Sequence, residues 1–151
     1  MTILIGYLPT PEGEAALDAG IAEGQLRRES IVILNSPRKG APVDAALASV
    51  EQVAELLRRA EVAGVEATIR QPGHTDDLTD EFIDIADEID ASLIVIGLRR
   101  RSQVGKFILG SHSQRILLQA DRPVLAVKVR EKSYPHPIAV HARHRTSRAG
   151  L

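Results

Sequence analysis

The sequence predicts an α/β fold: a doubly wound, Rossmann-like parallel sheet with helices on both faces. Short apolar runs rich in β-branched residues alternate with amphipathic segments along the whole chain. Such runs are typical of strands buried on both faces of a parallel sheet, which needs a helix between successive strands. The 151 residues fit one domain, and with 44% hydrophobic but only 3% aromatic residues the predicted core is aliphatic.

Five strands and four helices are predicted from these patterns. The strands are residues 3–5, 30–34, 65–69, 93–96 and a last one from Val124 to Val129. Thr10 and Pro11 predict the start of the first helix, whose apolar positions run to Leu26. The second helix carries apolar residues at helical spacing from Val43 to Ala60 and ends near Gly64.

The third and fourth helices are predicted from their start signals. Thr75, Asp76 and Asp77 are candidate caps for the third, whose inner stripe is Leu78, Phe82, Ile85, Ala86 and Ile89. Gly110 and Ser111 precede the fourth, and Ser111 with Gln114 fits a capping box.

Composition excludes several classes of function. The chain has no cysteine, so disulfides, thiolate metal sites and cysteine nucleophiles are excluded. The start does not fit a signal peptide and no apolar run reaches the roughly 18 residues of a membrane span, so a cytoplasmic protein is expected. With no Trp and two Phe, the stacking surface of a nucleic-acid binder is missing. Residues 131–151 form a basic tail with three histidines, which we expect to be mobile or packed on a partner.

The segment from residue 93 to residue 114, LIVIGLRRRSQVGKFILGSHSQ, combines a buried strand, a basic loop and a helix start. We expect the strand to stop at Gly97, where the missing side chain allows a sharp turn or a close ligand. The loop then carries Arg99, Arg100, Arg101 and Lys106. A helix start offers unpaired N–H groups to an anion, so the segment predicts a phosphate site. It is not a P-loop, because Arg100 and Phe107 stand where that motif needs Gly and Ser or Thr.

This segment resembles the glycine signature of the universal stress protein family, Gly-x2-Gly-x9-Gly-Ser/Thr. Gly97, Gly110 and Ser111 match the signature, whereas Arg100 replaces its second glycine. The resemblance covers residues 1–130, the predicted domain. It implies an adenine nucleotide α-hydrolase-like fold with strand order 3-2-1-4-5. Tyr7-Leu8 and Gly97-Leu98 would then flank one crevice, where the strand order reverses.

The resemblance also implies a ligand and an assembly. Adenine nucleotide, ATP or a relative with Mg²⁺, would lie near Gly97, Arg99 and Arg100. Its phosphates would be held at Gly110, Ser111, His112 and Ser113, mainly by backbone groups. Members that bind ATP carry an Asp at the end of the first strand, where this chain has Leu8. The last strand, from Val124 to Val129, would form a homodimer. The implied role is a nucleotide-responsive module in stress or metabolic adaptation, without turnover.

Three alternatives stay open at this point. Leu8 and Arg100 favour a dimeric interaction protein that binds no nucleotide. A slow ATPase or self-phosphorylating enzyme would use Ser111 or Ser113 as acceptor, with a metal and a base that the sequence does not identify. The anion site could also serve a cyclic nucleotide or a phosphorylated metabolite.

Overall fold

A computed structural model describes residues 1–36, 47–72, 77–100 and 107–129, and for Arg100, Phe107 and Ile108 it describes the backbone. The predicted helix start at Val43, the caps Thr75 and Asp76, most of the basic loop and the tail lie outside these residues. In the described part, strands and helices alternate as predicted. Their bounds are β1 Thr2–Gly6, α1 Pro11–Arg27, β2 Ser30–Leu34, α2 Val50–Val62, β3 Ala67–Arg70, α3 Leu78–Glu88, β4 Ala91–Arg100, β5 Phe107–Ile108, α4 Ser111–Gln119 and β6 Val124–Lys128.

The five main strands form one parallel sheet in the order β3-β2-β1-β4-β6. Because β6 is the fifth of the predicted strands, this confirms the expected order 3-2-1-4-5. The order reverses between β1 and β4, which are neighbours with Ile5 opposite Val95. The two-residue β5 was not predicted; it pairs antiparallel with the end of β4.

Successive residues of β1 face opposite helical layers, so the sheet has a core on each side. One core joins the sheet to α1 and α2 and includes Ile3, Ile5, Leu17, Ile21, Ile33 and Leu56. The other joins it to α3 and α4 and includes Leu4, Val32, Phe82, Ile85, Ile94 and Ile116. The central strand is therefore apolar at every position from Ile3 to Ile5, each of which is fully buried.

The strand that was expected to stop at Gly97 continues to Arg100. Gly97 pairs with Val127 and Leu98 with Lys128, so β6 supplies backbone partners beyond the apolar run. Arg99 then pairs with Ile108 of β5. The prediction failed because a strand ends where its hydrogen-bonding partners end, and neither β5 nor the length of β6 can be deduced from the residues of β4.

Two helix predictions also need correction. The second helix begins at Val50, not earlier, because Ser49 and Gln52 form a capping box with bonds of 3.2 and 2.8 Å. Leu26, predicted on the inner face of α1, is 80% exposed, since it lies in the last turn beyond the sheet. The start of α1 is as predicted: the Thr10 hydroxyl accepts a hydrogen bond from the Gly13 amide and Pro11 is the first helical residue.

Asn35, which directly follows β2, is fully buried and ties three segments together. Its Nδ2 donates to the Tyr7 carbonyl oxygen at 3.1 Å. Its Oδ1 accepts from the Ala48 amide at 2.8 Å and from Gln71 Nε2 at 2.9 Å. Asn35 thereby joins the ends of β1, β2 and β3 to the entry of α2.

Candidate functional site

A cavity of about 120 Å³ lies at the carboxyl ends of β1 and β4, where the strand order reverses. Tyr7, Leu8 and Gly97 line it, so the two predicted sides of the crevice do meet. One wall is apolar and consists of Leu8, Leu34, Leu78, Phe82, Ile96 and Ile116. The polar side chains facing the cavity are Thr10, Glu12, Ser36, His112 and Ser113. A site with an apolar wall and a few convergent polar groups is typical of small-molecule binding.

Gly97 lines the cavity, but its missing side chain serves helix packing. A Cβ atom on Gly97 would lie 2.1 Å from the carbonyl oxygen of Glu12, in the first turn of α1. Its φ is not positive, in keeping with its place inside β4, so no sharp turn occurs there. Gly97 therefore allows α1 to approach the sheet and form one rim of the cavity.

Arg99 and Glu12 form an ion pair beside the cavity. Arg99 Nε lies 3.4 Å from Glu12 Oε1, and the Glu12 side chain is 16% exposed whereas that of Arg99 is 54% exposed. Glu12 is thus a carboxylate in the cavity lining whose charge is partly balanced by Arg99. Glu12 was not among the predicted site residues, because a glutamate in the first turn of a helix gives no sequence signal of a cavity. Arg100 ends β4, and its side chain is outside the described part.

Helix α4 points its amino end at the cavity, but not with the predicted cap. Gly110, not Ser111, is the N-cap residue, and no side chain caps the helix. Ser111 is the first helical residue and is exposed, so the predicted capping box is wrong. His112 and Ser113 line the cavity, whereas Ser111 does not. A glycine N-cap leaves the first N–H groups of the helix without a side-chain acceptor and available to an anion.

The His112 ring is held by a residue that the sequence did not single out. Thr79, fully buried in the first turn of α3, has its Oγ1 3.2 Å from His112 Nδ1.

Asp77 and Arg115 form an ion pair near this contact. Arg115 Nη1 and Nη2 each lie 3.1 Å from Asp77 Oδ2, which ties α4 to the start of α3. Backbone N–H groups from Asp80 and Thr79, together with Arg115, lower the pKa of Asp77. The predicted cap Asp77 is confirmed: Oδ1 accepts from Thr79 and Asp80.

Tyr7 connects the cavity to a polar network between α1 and α2. Its hydroxyl donates to Glu14 Oε1 at 2.6 Å, and Arg59 contacts Glu14 Oε2 at 2.5 Å and also Asp18. Burial and the hydrogen bond to Glu14 raise the pKa of Tyr7. Burial acts to raise the pKa of Glu14 as well, but the hydrogen bonds from Tyr7 and Arg59 outweigh it, and that pKa is lowered. This network fixes the floor of the cavity at Tyr7.

Among the described residues, no group of three or more His, Asp or Glu side chains is placed to hold a metal ion. Within the same ranges, no helix combines the length and apolar character needed to cross a membrane.

Proteins of the doubly wound α/β class bind ligands at the carboxyl ends of their parallel strands, where the strand order reverses, and the cavity of this chain lies at that place. The chain belongs to the universal stress protein family, whose family model matches residues 1–128.

Individual relatives agree with this assignment. A universal stress protein of Mycolicibacterium smegmatis is 41% identical over 126 residues, which are 83% of this chain and 96% of that protein. The solved universal stress protein of Archaeoglobus fulgidus matches with a TM-score of 0.69 and 27% identity, over 85% of this chain and 98% of that one. A structure of the Archaeoglobus fulgidus universal stress protein in complex with dAMP matches over the same shares, with a TM-score of 0.67 and 23% identity.

Proposed function

We propose that this chain is a dimeric adenine-nucleotide-binding module that acts in stress or metabolic adaptation in the cytoplasm, without turnover of its own. The observation that carries the proposal is the convergence of three groups on one cavity: the ends of β1 and β4 and the uncapped amino end of α4. The dAMP complex of the Archaeoglobus fulgidus relative supports the choice of an adenine nucleotide.

The phosphates would lie at the start of α4. There the N–H groups of Ser111, His112 and Ser113 and the positive end of the helix favour an anion. Arg99 and Arg100, at the end of β4, would add positive charge at the entrance. Arginine suits this task because its planar group donates several hydrogen bonds to oxyanions.

The nucleoside would lie against the apolar wall, near Leu8 and Phe82. The enclosed volume of about 120 Å³ is below the roughly 300–1,000 Å³ of pockets that take a whole drug-sized ligand. We therefore place the base inside and the phosphates over the helix start. Leu8 cannot accept a hydrogen bond from a ribose hydroxyl; Glu12, on the same rim, is the carboxylate available for it. Mg²⁺ would be bound through the phosphates, because the described residues contain no group of side chains placed to hold a metal ion.

Calorimetric titration with ATP, ADP, AMP and cyclic AMP, with and without Mg²⁺, tests this function. The critical variant is Ser113→Asp. It places a carboxylate at the third helical position of α4, where it favours the helix but repels a phosphate. We expect saturable ATP binding by the parent and at least a tenfold loss in Ser113→Asp. Gln114→Asp is the matched control, since it adds the same charge at an exposed position of the same helix. Equal affinity in all three proteins would refute the phosphate placement.

A nucleotide-free interaction protein is the second candidate, favoured by the small enclosed volume, by Leu8 and by Arg100 in place of a glycine. This candidate predicts that the parent protein binds no nucleotide and that the Arg100→Gly variant does. A slow ATPase or self-phosphorylating enzyme predicts phosphate release that Ser111→Ala abolishes. Tighter binding of cyclic AMP or a phosphorylated metabolite than of ATP would support the anion site but assign it a different ligand.

Dimerisation through the last strand is part of the proposal. Within the described residues, β6 forms a strand ladder with β4 alone. A strand at the edge of a sheet can pair with a strand of a second copy. The tail, residues 131–151, follows this edge directly and would pack on the partner or stay mobile. Sedimentation of the full chain at several concentrations tests this. We expect a dimer, and a shift to monomer in Val129→Lys, because Val129 directly follows the last residue of β6 and a lysine there would oppose pairing along this edge.

A further inference from the structure

The contact between α3 and α4 defines one chemical property of the cavity. Thr79 is fully buried, and within the part of the chain that the structure describes its hydroxyl has a single hydrogen-bond partner, Nδ1 of His112, at 3.2 Å. His112 is half-buried and lines the cavity. Within the described residues, its Nε2 forms no hydrogen bond, so this nitrogen is the ring atom left for a ligand.

The direction of the Thr79–His112 bond follows from the proton count. A hydroxyl carries one proton, which in a buried position needs an acceptor. The acceptor available to Thr79 is Nδ1, which can accept only when the ring is neutral and its proton is on Nε2. The reverse arrangement, with Nδ1–H donating to Thr79, would leave the threonine proton buried without an acceptor. The bond therefore selects the Nε2–H form of the ring.

We propose that Thr79 is a positioning residue that holds the His112 imidazole in the tautomer with its proton on Nε2, with this N–H directed to the ligand. His112 then acts as a hydrogen-bond donor to an oxyanion or carbonyl acceptor, not as a general base. The identity of that acceptor as a nucleotide phosphate rests on the proposed function; the tautomer does not. Thr79 and His112 belong to different helices, so the bond also sets the distance between α3 and the amino end of α4.

The tautomer is measured first, in the ligand-free full chain. Long-range ¹H–¹⁵N spectra of the imidazoles are recorded about two units above the ordinary histidine pKa of about 6.5. The His112 signals are identified among the five histidines by their absence in His112→Gln. We expect pyrrole-type nitrogen at Nε2 and pyridine-type at Nδ1. Thr79→Val, which has nearly the same shape but no hydroxyl, should weaken this preference, and Thr79→Ser should keep it. A protonated Nδ1 in the parent, or no change in Thr79→Val, would overturn the inference.

Ligand affinity is measured second, with ATP as the probe. We expect Thr79→Val to weaken binding about three- to tenfold, the effect of one hydrogen bond, and Thr79→Ser to bind like the parent. Thr68→Val, at an exposed position of β3, is the matched control. Binding by the parent with no loss in Thr79→Val would overturn the ligand part. If the parent binds no nucleotide, the proposed function fails, while the tautomer result still decides the role of Thr79.

Discussion

Gly97 and the carbonyl oxygen of Glu12 are so close that no side chain fits between them: a Cβ on Gly97 would lie 2.1 Å from that oxygen. The atom in the way belongs to the backbone of α1, so the clash cannot be relieved by rotating a side chain. This contact brings the first turn of α1 onto β4 and thereby forms the rim of the cavity.

Gly97→Ala should destabilise the protein by about 1–3 kcal/mol or more, the range for overpacking a core, and should move α1 away from β4. Urea denaturation measures the stability and nucleotide titration the state of the cavity. Gly110→Ala is the control: its φ is −62° and nothing lies within 4 Å of the added atom, so we expect a change below about 1 kcal/mol. Equal losses in both variants would contradict the packing role of Gly97.

Tyr7 should stay protonated at a pH where an ordinary tyrosine, with a pKa of about 10, has ionised. Its pKa is raised by burial and by Glu14. A raised pKa in the folded state means that stability is lost as the pH rises above the unfolded value of about 10. Tyrosinate absorbance of Tyr134→Phe measures this, because Tyr7 is then the one tyrosine left of the two in the sequence. A transition at the ordinary tyrosine value in that variant would contradict the prediction.

Asp77 should make stability sensitive to acid. Its pKa is lowered by the N–H groups that it caps and by Arg115. A lowered folded-state pKa gives stability that is present above the unfolded value of about 3.9 and is lost as the pH falls through the folded value.

Asp77→Asn should keep the helix cap but not the charge, so its stability should depend less on pH in this range. Urea midpoints measured from neutral pH down to about 2 test this. The control is Asp121→Asn, which removes an exposed carboxylate. An unchanged acid dependence in Asp77→Asn would contradict the assignment.

Asn35→Ala should cost about 2–4 kcal/mol, because it leaves a buried carbonyl at Tyr7 and a buried amide at Ala48 without their partner. It should also weaken ligand binding, since Tyr7 lines the cavity. Ser36→Ala, at the next and less buried position, should cost below about 1 kcal/mol. Chemical denaturation of the three proteins makes the comparison. A loss in Asn35→Ala as small as in Ser36→Ala would show that the buried bonds are replaced by water.

The layered fold could be predicted from the sequence because its signals are local and repeated. Residues 30–34 form a strand, as their apolar run predicts. Thr10 and Asp77 cap helices, as their residue types indicate. The end of β4 could not be predicted, because it depends on residues of β5 and β6 far along the chain.

Gly97, His112 and Ser113, which the sequence places in one site, line one cavity, and the contacts around them were harder to predict. Thr79 was missed because a threonine in an amphipathic helix gives no signal of what it faces; only the packing of α3 on α4 reveals His112 as its partner. The spacing of Ser111 and Gln114 predicts a capping box with Ser111 as the N-cap, yet Gly110 is the N-cap and the helix begins at Ser111.

The side chains of β1 alternate between the two helical layers, so the position of a residue in this strand decides which core it joins. Successive residues of β1 face opposite layers. Gly6, next to Phe82, faces the layer that borders the cavity. Inserting or deleting one residue between Ile3 and Gly6 would exchange both cores at once and rotate the cavity floor out of the site. A change of length between the strands would leave this alternation intact, whereas a change of length within β1 would not.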